Sequence, residues 1–87
     1  MGYTDTLEQY LLREFLVEQG RNTIGPDEDL VELGIVDSLG ILRLIAFMEE
    51  QFGISIPPEK VVPENFNSIS ALSALVEQLK GQPSSAA

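Results

Sequence analysis

The sequence predicts an all-α fold, an antiparallel four-helix bundle of three long helices and one short one, with a long ordered loop between helices one and two. Three observations carry that expectation. Apolar residues recur at spacings of three and four in three separate stretches, each followed by a glycine, at Gly20, Gly53 and Gly81. No stretch makes a convincing strand. The connection Arg21–Asp37 is long, yet it carries Ile24, Leu30, Leu33, Ile35 and Val36, enough apolar side chains to pin it to the helices.

Helix one is expected from Thr6 to about Gln19, with Leu7, Tyr10, Leu11, Leu12, Phe15, Leu16 and Val17 on its apolar side. Asp5 and Glu8 have the spacing of a capping box, and Gly20 supplies the left-handed stop. In the loop, Gly25-Pro26 and Gly34 provide turns. Asp27, Glu28 and Asp29 do not continue into an EF-hand spacing and are read as a solvated turn.

Helix two is expected from Ser38 to Phe52, capped by Asp37 or Ser38 and ended by Gly53. Leu39, Ile41, Leu42, Leu44, Ile45, Ala46, Met48 and Phe52 cover most of its circumference and make it the central helix. A narrow strip of Gly40, Arg43, Phe47 and Glu50 is left as its outer face, with Phe47 either an exposed anchor for a partner or plain core. Pro57-Pro58 stops any continuing helix, and Pro63 suits the first position of a short helical turn ending at Phe66. Asn67 or Ser68 then caps a last helix whose inward stripe is Ile69, Leu72, Leu75, Val76 and Leu79. Residues 1–87 make one domain with a core of about 5–80, and 81–87 form a flexible tail.

Composition narrows the function. A chain of 87 residues leaves little room for a water-excluding catalytic cavity. It has no cysteine and no histidine, which removes disulfides, thiolate metal sites and the commonest general base, and with them a Ser-His-Asp triad. No metal site is expected. The formal charge of −9, from 14 acidic and 5 basic residues, repels nucleic acid and anionic membranes and favours protein partners with basic patches. No apolar run is long enough to cross a bilayer. Gly2 and Thr6 fit the loose N-myristoylation pattern, but no basic cluster follows to supply a second membrane signal. A cytoplasmic monomer is expected.

The residue singled out for function is Ser38, at the start of helix two in Leu33-Gly34-Ile35-Val36-Asp37-Ser38-Leu39. A hydroxyl with no activating partner is a poor nucleophile by itself, so from the residues alone Ser38 is either part of a common Asp-Ser capping arrangement or an acceptor for a group that another enzyme attaches. A helix start favours an attached phosphate. Asp37 opposes that anion and makes more sense as a cap, or as a group read by the modifying enzyme or its metal ion.

The stretch Asp29–Leu39, the helix after it, Phe52-Gly53-Ile54-Ser55-Ile56-Pro57 and Pro63-Glu64-Asn65-Phe66-Asn67-Ser68-Ile69 resemble the acyl and peptidyl carrier proteins over about residues 5–80. The resemblance implies that Ser38 receives 4′-phosphopantetheine from coenzyme A through a phosphopantetheinyl transferase. It implies further that Asp37 and Leu39 flank the attachment point and that the arm's thiol holds an acyl or aminoacyl group as a thioester. An adenylating or acyltransferring enzyme would load the arm, and downstream biosynthetic enzymes would take the cargo. Many acidic members carry carboxylates just after Ser-Leu, where this chain has Gly40 and Arg43. Docking is therefore expected on a mixed surface of Gly40, Arg43, Phe47 and Glu50, with Gly40 letting a partner approach closely. The Pro-Glu-Asn-Phe segment looks like that of free-standing carriers of amino acids or small extender units. Two other readings remain: an acidic helical interaction module with no covalent cargo, and phosphorylation of Ser38 as a switch.

Overall fold

A computed structural model describes residues 2–81. They form α1 (Gly2–Glu14), α2 (Ser38–Phe52), α3 (Pro63–Phe66) and α4 (Ile69–Gly81), with 3₁₀ turns at Val17–Gln19 and Pro58–Lys60. No strand occurs among the described residues. Residues 82–87 of the expected tail lie outside them.

α1 differs from expectation at both ends. It begins at Gly2, so Asp5 lies in its first turn and is not the cap. Glu8 does not reach back to a capping partner; its Oε2 accepts the Ile24 N–H at 2.8 Å and fastens the start of the loop. The α-helix stops at Glu14 because Leu16 leaves helical geometry, at φ −118° and ψ 10°, and turns fully into the core. That rotation carries Val17, expected inside, out to solvent. Gly20 then ends the 3₁₀ turn at φ 70°.

The loop is held as its apolar residues predict. Ile24, Leu30 and Ile35 are buried, and Leu33 and Val36 pack partly against the same core. The acidic turn is ordered by its own contacts. Arg21 Nη2 donates to both carboxylate oxygens of Glu28 at 2.8 Å, and Glu28 Oε1 also accepts the Gly25 N–H at 2.9 Å. The Gly25 amide first, and the Arg21 guanidinium second, hold the Glu28 carboxyl below its ordinary value of 4.5. A depressed carboxylate contributes stability that is complete above its unfolded value and is lost as pH falls through the folded one. Acidification below 4.5 is therefore expected to release the Gly25 turn before the helices melt, read as a pH-dependent shift of the Gly25 amide resonance.

α1 and α2 are joined along their length by aromatic contacts. Tyr3 meets Phe52 edge-on at 5.3 Å between centroids, Tyr10 stacks on Phe47 at 3.8 Å, and Arg43 pairs with Glu14 at 2.9 Å. These contacts descend along α2 as they ascend along α1. α4 packs against α1 and α3 through Ile69, Leu72, Leu75 and Val76, and Ser68 Oγ caps it by accepting the Ala71 N–H at 3.1 Å. Lys80 Nζ reaches the Phe52 carbonyl at 3.0 Å and so answers an open acceptor in the last turn of α2. α3 opens on Pro63 at its first turn, and Phe66 is its buried residue.

Candidate functional site

The site is built from the end of the loop and the first turn of α2. Gly34, at φ 80°, reverses the chain after the turn at Val31–Leu33. Ile35 then inserts its side chain fully into the core, and the Asp37 backbone extends to φ −139°, ψ −172° as the N-cap of α2. Asp37 Oδ1 accepts the Gly40 N–H at 2.7 Å, and its carbonyl accepts the Ile41 N–H at 2.8 Å. The cap is thus Asp37, and Ser38 is the first helical residue. Helix geometry leaves the amides of the first positions, those of Ser38 and Leu39, directed out of the N-terminus.

Gly40, Leu39, Leu42 and Ala46 are placed otherwise than expected, and Phe47 takes the inward of its two expected places. Gly40 is buried, because the Ile35 carbonyl oxygen lies where a Cβ would be. Its missing side chain admits the protein's own loop, which is a closer neighbour than any partner. Phe47 faces α1 and stacks on Tyr10. Leu39 and Leu42, expected on the apolar circumference of the helix, are 71% and 62% exposed. With Ala46 and Glu50, also exposed, these two form the face that α2 turns to solvent. The i, i+3 and i+7 spacing of Leu39, Leu42 and Ala46 puts them in one stripe, but in a helix apolar nearly all round that spacing does not say which stripe faces out.

Arg43 borders this face but is drawn toward α1. Its guanidinium pairs with Glu14 and lies 4.6 Å from the centroid of Phe15, and its carbonyl accepts the Tyr10 hydroxyl at 3.4 Å. Burial pushes the Tyr10 hydroxyl above its usual pKa, against the opposing pull of Arg43. The one cation on α2 is therefore already matched by Glu14.

No polar or charged side chain is buried among the described residues, and no group of three or more acidic ligand-type side chains is assembled there. The site offers a serine at the dipolar start of a 15-residue helix, flanked by exposed Asp37 and Leu39. Such an end suits a phosphate ester, since an anion at a helix N-terminus gains about 0.3–1 kcal/mol. Asp37, the nearest negative charge, has one oxygen committed to the Gly40 amide.

Fold and site together describe a small helical protein with a serine as the first residue of its 15-residue helix. The chain matches the family described as phosphopantetheine attachment site over residues 6–76 and belongs to that family. It is 39% identical over 54 residues to the protein named "Probable acyl carrier protein PigG" of Serratia sp., a match covering 62% of each chain. It is 38% identical over 56 residues to the D-alanyl carrier protein of Lactococcus lactis, covering 64% of this chain and 71% of the relative. The chain thus spans under two thirds of the first relative's length. Among solved structures it is similar to a chain in the complex of Bradyrhizobium japonicum glycine:[carrier protein] ligase with its cognate carrier protein and an analogue of glycyl adenylate. That likeness has a TM-score of 0.66 and 25% identity, and covers 86% of this chain and 91% of that one. No described helix is long and apolar enough to cross a membrane.

Proposed function

We propose that this protein is a carrier whose Ser38 bears 4′-phosphopantetheine and whose cargo is a small aminoacyl group held as a thioester. The observation that carries the reading is the place of Ser38 as the first residue of α2, directly after the Asp37 cap, within a chain of the phosphopantetheine attachment site family. The residues present fit the group: an acceptor hydroxyl, a helix end favourable to phosphate and no competing base. When attached, the arm supplies the thiol that this cysteine-free chain lacks. The chain itself holds the serine on a rigid helix and leaves its activation to a phosphopantetheinyl transferase.

The aminoacyl cargo is supported by the relatives, one named a D-alanyl carrier and another in complex with a glycine ligase. An adenylating ligase would then load the arm, and downstream biosynthetic enzymes in the cytoplasm would take the cargo. In this reading the four helices form one antiparallel bundle, residues 1–87 are a single monomeric domain, and partners dock on Leu39, Leu42 and Glu50 beside Arg43. Tethering raises the effective concentration of cargo at each partner, so docking contacts can stay weak.

Intact mass after incubation with coenzyme A and a broad-specificity transferase is expected to rise by one phosphopantetheine. The product should then accept glycine or D-alanine from an adenylating ligase and ATP. An unmodified chain in the presence of a transferase active on other carriers would overturn the proposal.

A further inference from the structure

The first turn of α2 is tied to the junction of α3 and α4 by a run of main-chain bonds. The Leu30 amide donates to the Asn67 carbonyl, between α3 and α4, at 2.9 Å. The Ile35 amide donates to the Leu30 carbonyl at 3.1 Å, and the Asp37 amide to the Ile35 carbonyl at 3.2 Å. Asp37 then closes on the helix through the Gly40 and Ile41 amides at 2.7 and 2.8 Å. Ser38 sits inside this closure, between the Asp37 cap and Gly40.

Gly40 is the residue that lets the run close. A Cβ at this position would fall on the Ile35 carbonyl oxygen, 3.0 Å from the Ile35 carbonyl carbon and 3.1 Å from Asp37 Oδ1. The obstructing atoms are backbone and a committed cap, so neither can yield by turning a flexible side-chain end. Retreat of the Ile35 carbonyl would drag a fully buried side chain out of the core. Glycine is a poor helix former, and alanine at an ordinary first-turn position would strengthen the helix. The close approach reverses that sign here.

The geometry points to Gly40 as a positioning residue for Ser38: by admitting the Ile35 carbonyl it clasps the loop onto α2 and sets the angle at which the serine meets a modifying enzyme. Gly40 does not touch the arm or its donor; it acts through Ile35 and Asp37. This rests on the reading of Ser38 as the attachment point.

The test compares wild type and Gly40→Ala in arm attachment, followed by intact mass, and in amide hydrogen exchange over residues 35–41. Positioning predicts a kcat lower by on the order of tenfold to a hundredfold, the scale of a misplacement near 1 Å, with KM for the carrier changed far less. Exchange at Asp37 and Ile41 should quicken while exchange in α4 stays slow. Attachment at the wild-type kcat, or unchanged exchange, would overturn the inference. Should Gly40→Ala not fold, Asp37→Ala opens the same clasp from its other side and must lower kcat and quicken exchange. Asp37→Asn, an equally good cap, must restore slow exchange. An Asp37→Ala chain that attaches the arm at the wild-type kcat would refute the clasp. A wild-type chain that takes no arm sinks the carrier reading, whereas a modified wild type with an equally fast Gly40→Ala sinks only this inference.

Discussion

Ser38→Ala is expected to abolish arm attachment outright while leaving the protein as stable as wild type. The two halves of that result have separate causes. Attachment needs an oxygen to bond to phosphorus, and alanine has none. Stability is spared because the cap is Asp37, whose Oδ1 and carbonyl satisfy the Gly40 and Ile41 amides. Position 38 is the first helical residue, where alanine is a good helix former. Asp37→Ala should show the opposite balance in stability, losing about 0.5–2 kcal/mol with the cap. Intact mass with coenzyme A and a transferase reads the first effect, and urea denaturation of the same samples reads the second. A Ser38→Ala chain that still gained one arm would place the attachment elsewhere. One that unfolded would make Ser38 a structural residue first.

The largest loss of stability is expected from Phe66→Ala, about 3–5 kcal/mol for a fully buried aromatic. Phe66 has no exposed surface and is the buried residue of α3. A helix of four residues cannot persist on its own hydrogen bonds, so Phe66 is what seats it against α4. The next residue, Asn67, offers the carbonyl that holds Leu30. Losing Phe66 therefore loosens the loop as well as the core. Against a total of about 5–15 kcal/mol for a domain, such a change lowers Tm by more than about 12 °C, measurable by thermal circular dichroism. Phe66→Leu keeps most of the buried volume and should cost under about 1.5 kcal/mol. A Phe66→Ala protein that melted with wild type would show that α3 is held by something other than this side chain.

Much of this was legible without coordinates. The bounds of α2, a cap at Asp37 or Ser38 and the Gly53 end follow from short-range chemistry, and the Gly40 amide on Asp37 Oδ1 decides between the two caps. The same holds for Pro63 opening α3 and for a cap at Asn67 or Ser68, of which the structure uses Ser68. The loop's order followed from Ile24, Leu30 and Ile35, since apolar side chains in a small chain have only one place to go. Spacing could not settle the facing of α2, because rotating a nearly all-apolar helix changes little in its pattern. Gly40 and Phe47 turned inward and Leu39 and Leu42 outward for reasons that lie in other segments, the Ile35 carbonyl and the Tyr10 ring. The early stop of α1 likewise depends on where Leu16 finds the core. By itself the sequence determined the helices, the loop that binds them and the serine at the head of α2, since those rest on local bonding and on composition. The tertiary structure decided which side of that helix faces solvent and which atoms lie against Gly40, since those depend on groups brought together from distant parts of the chain.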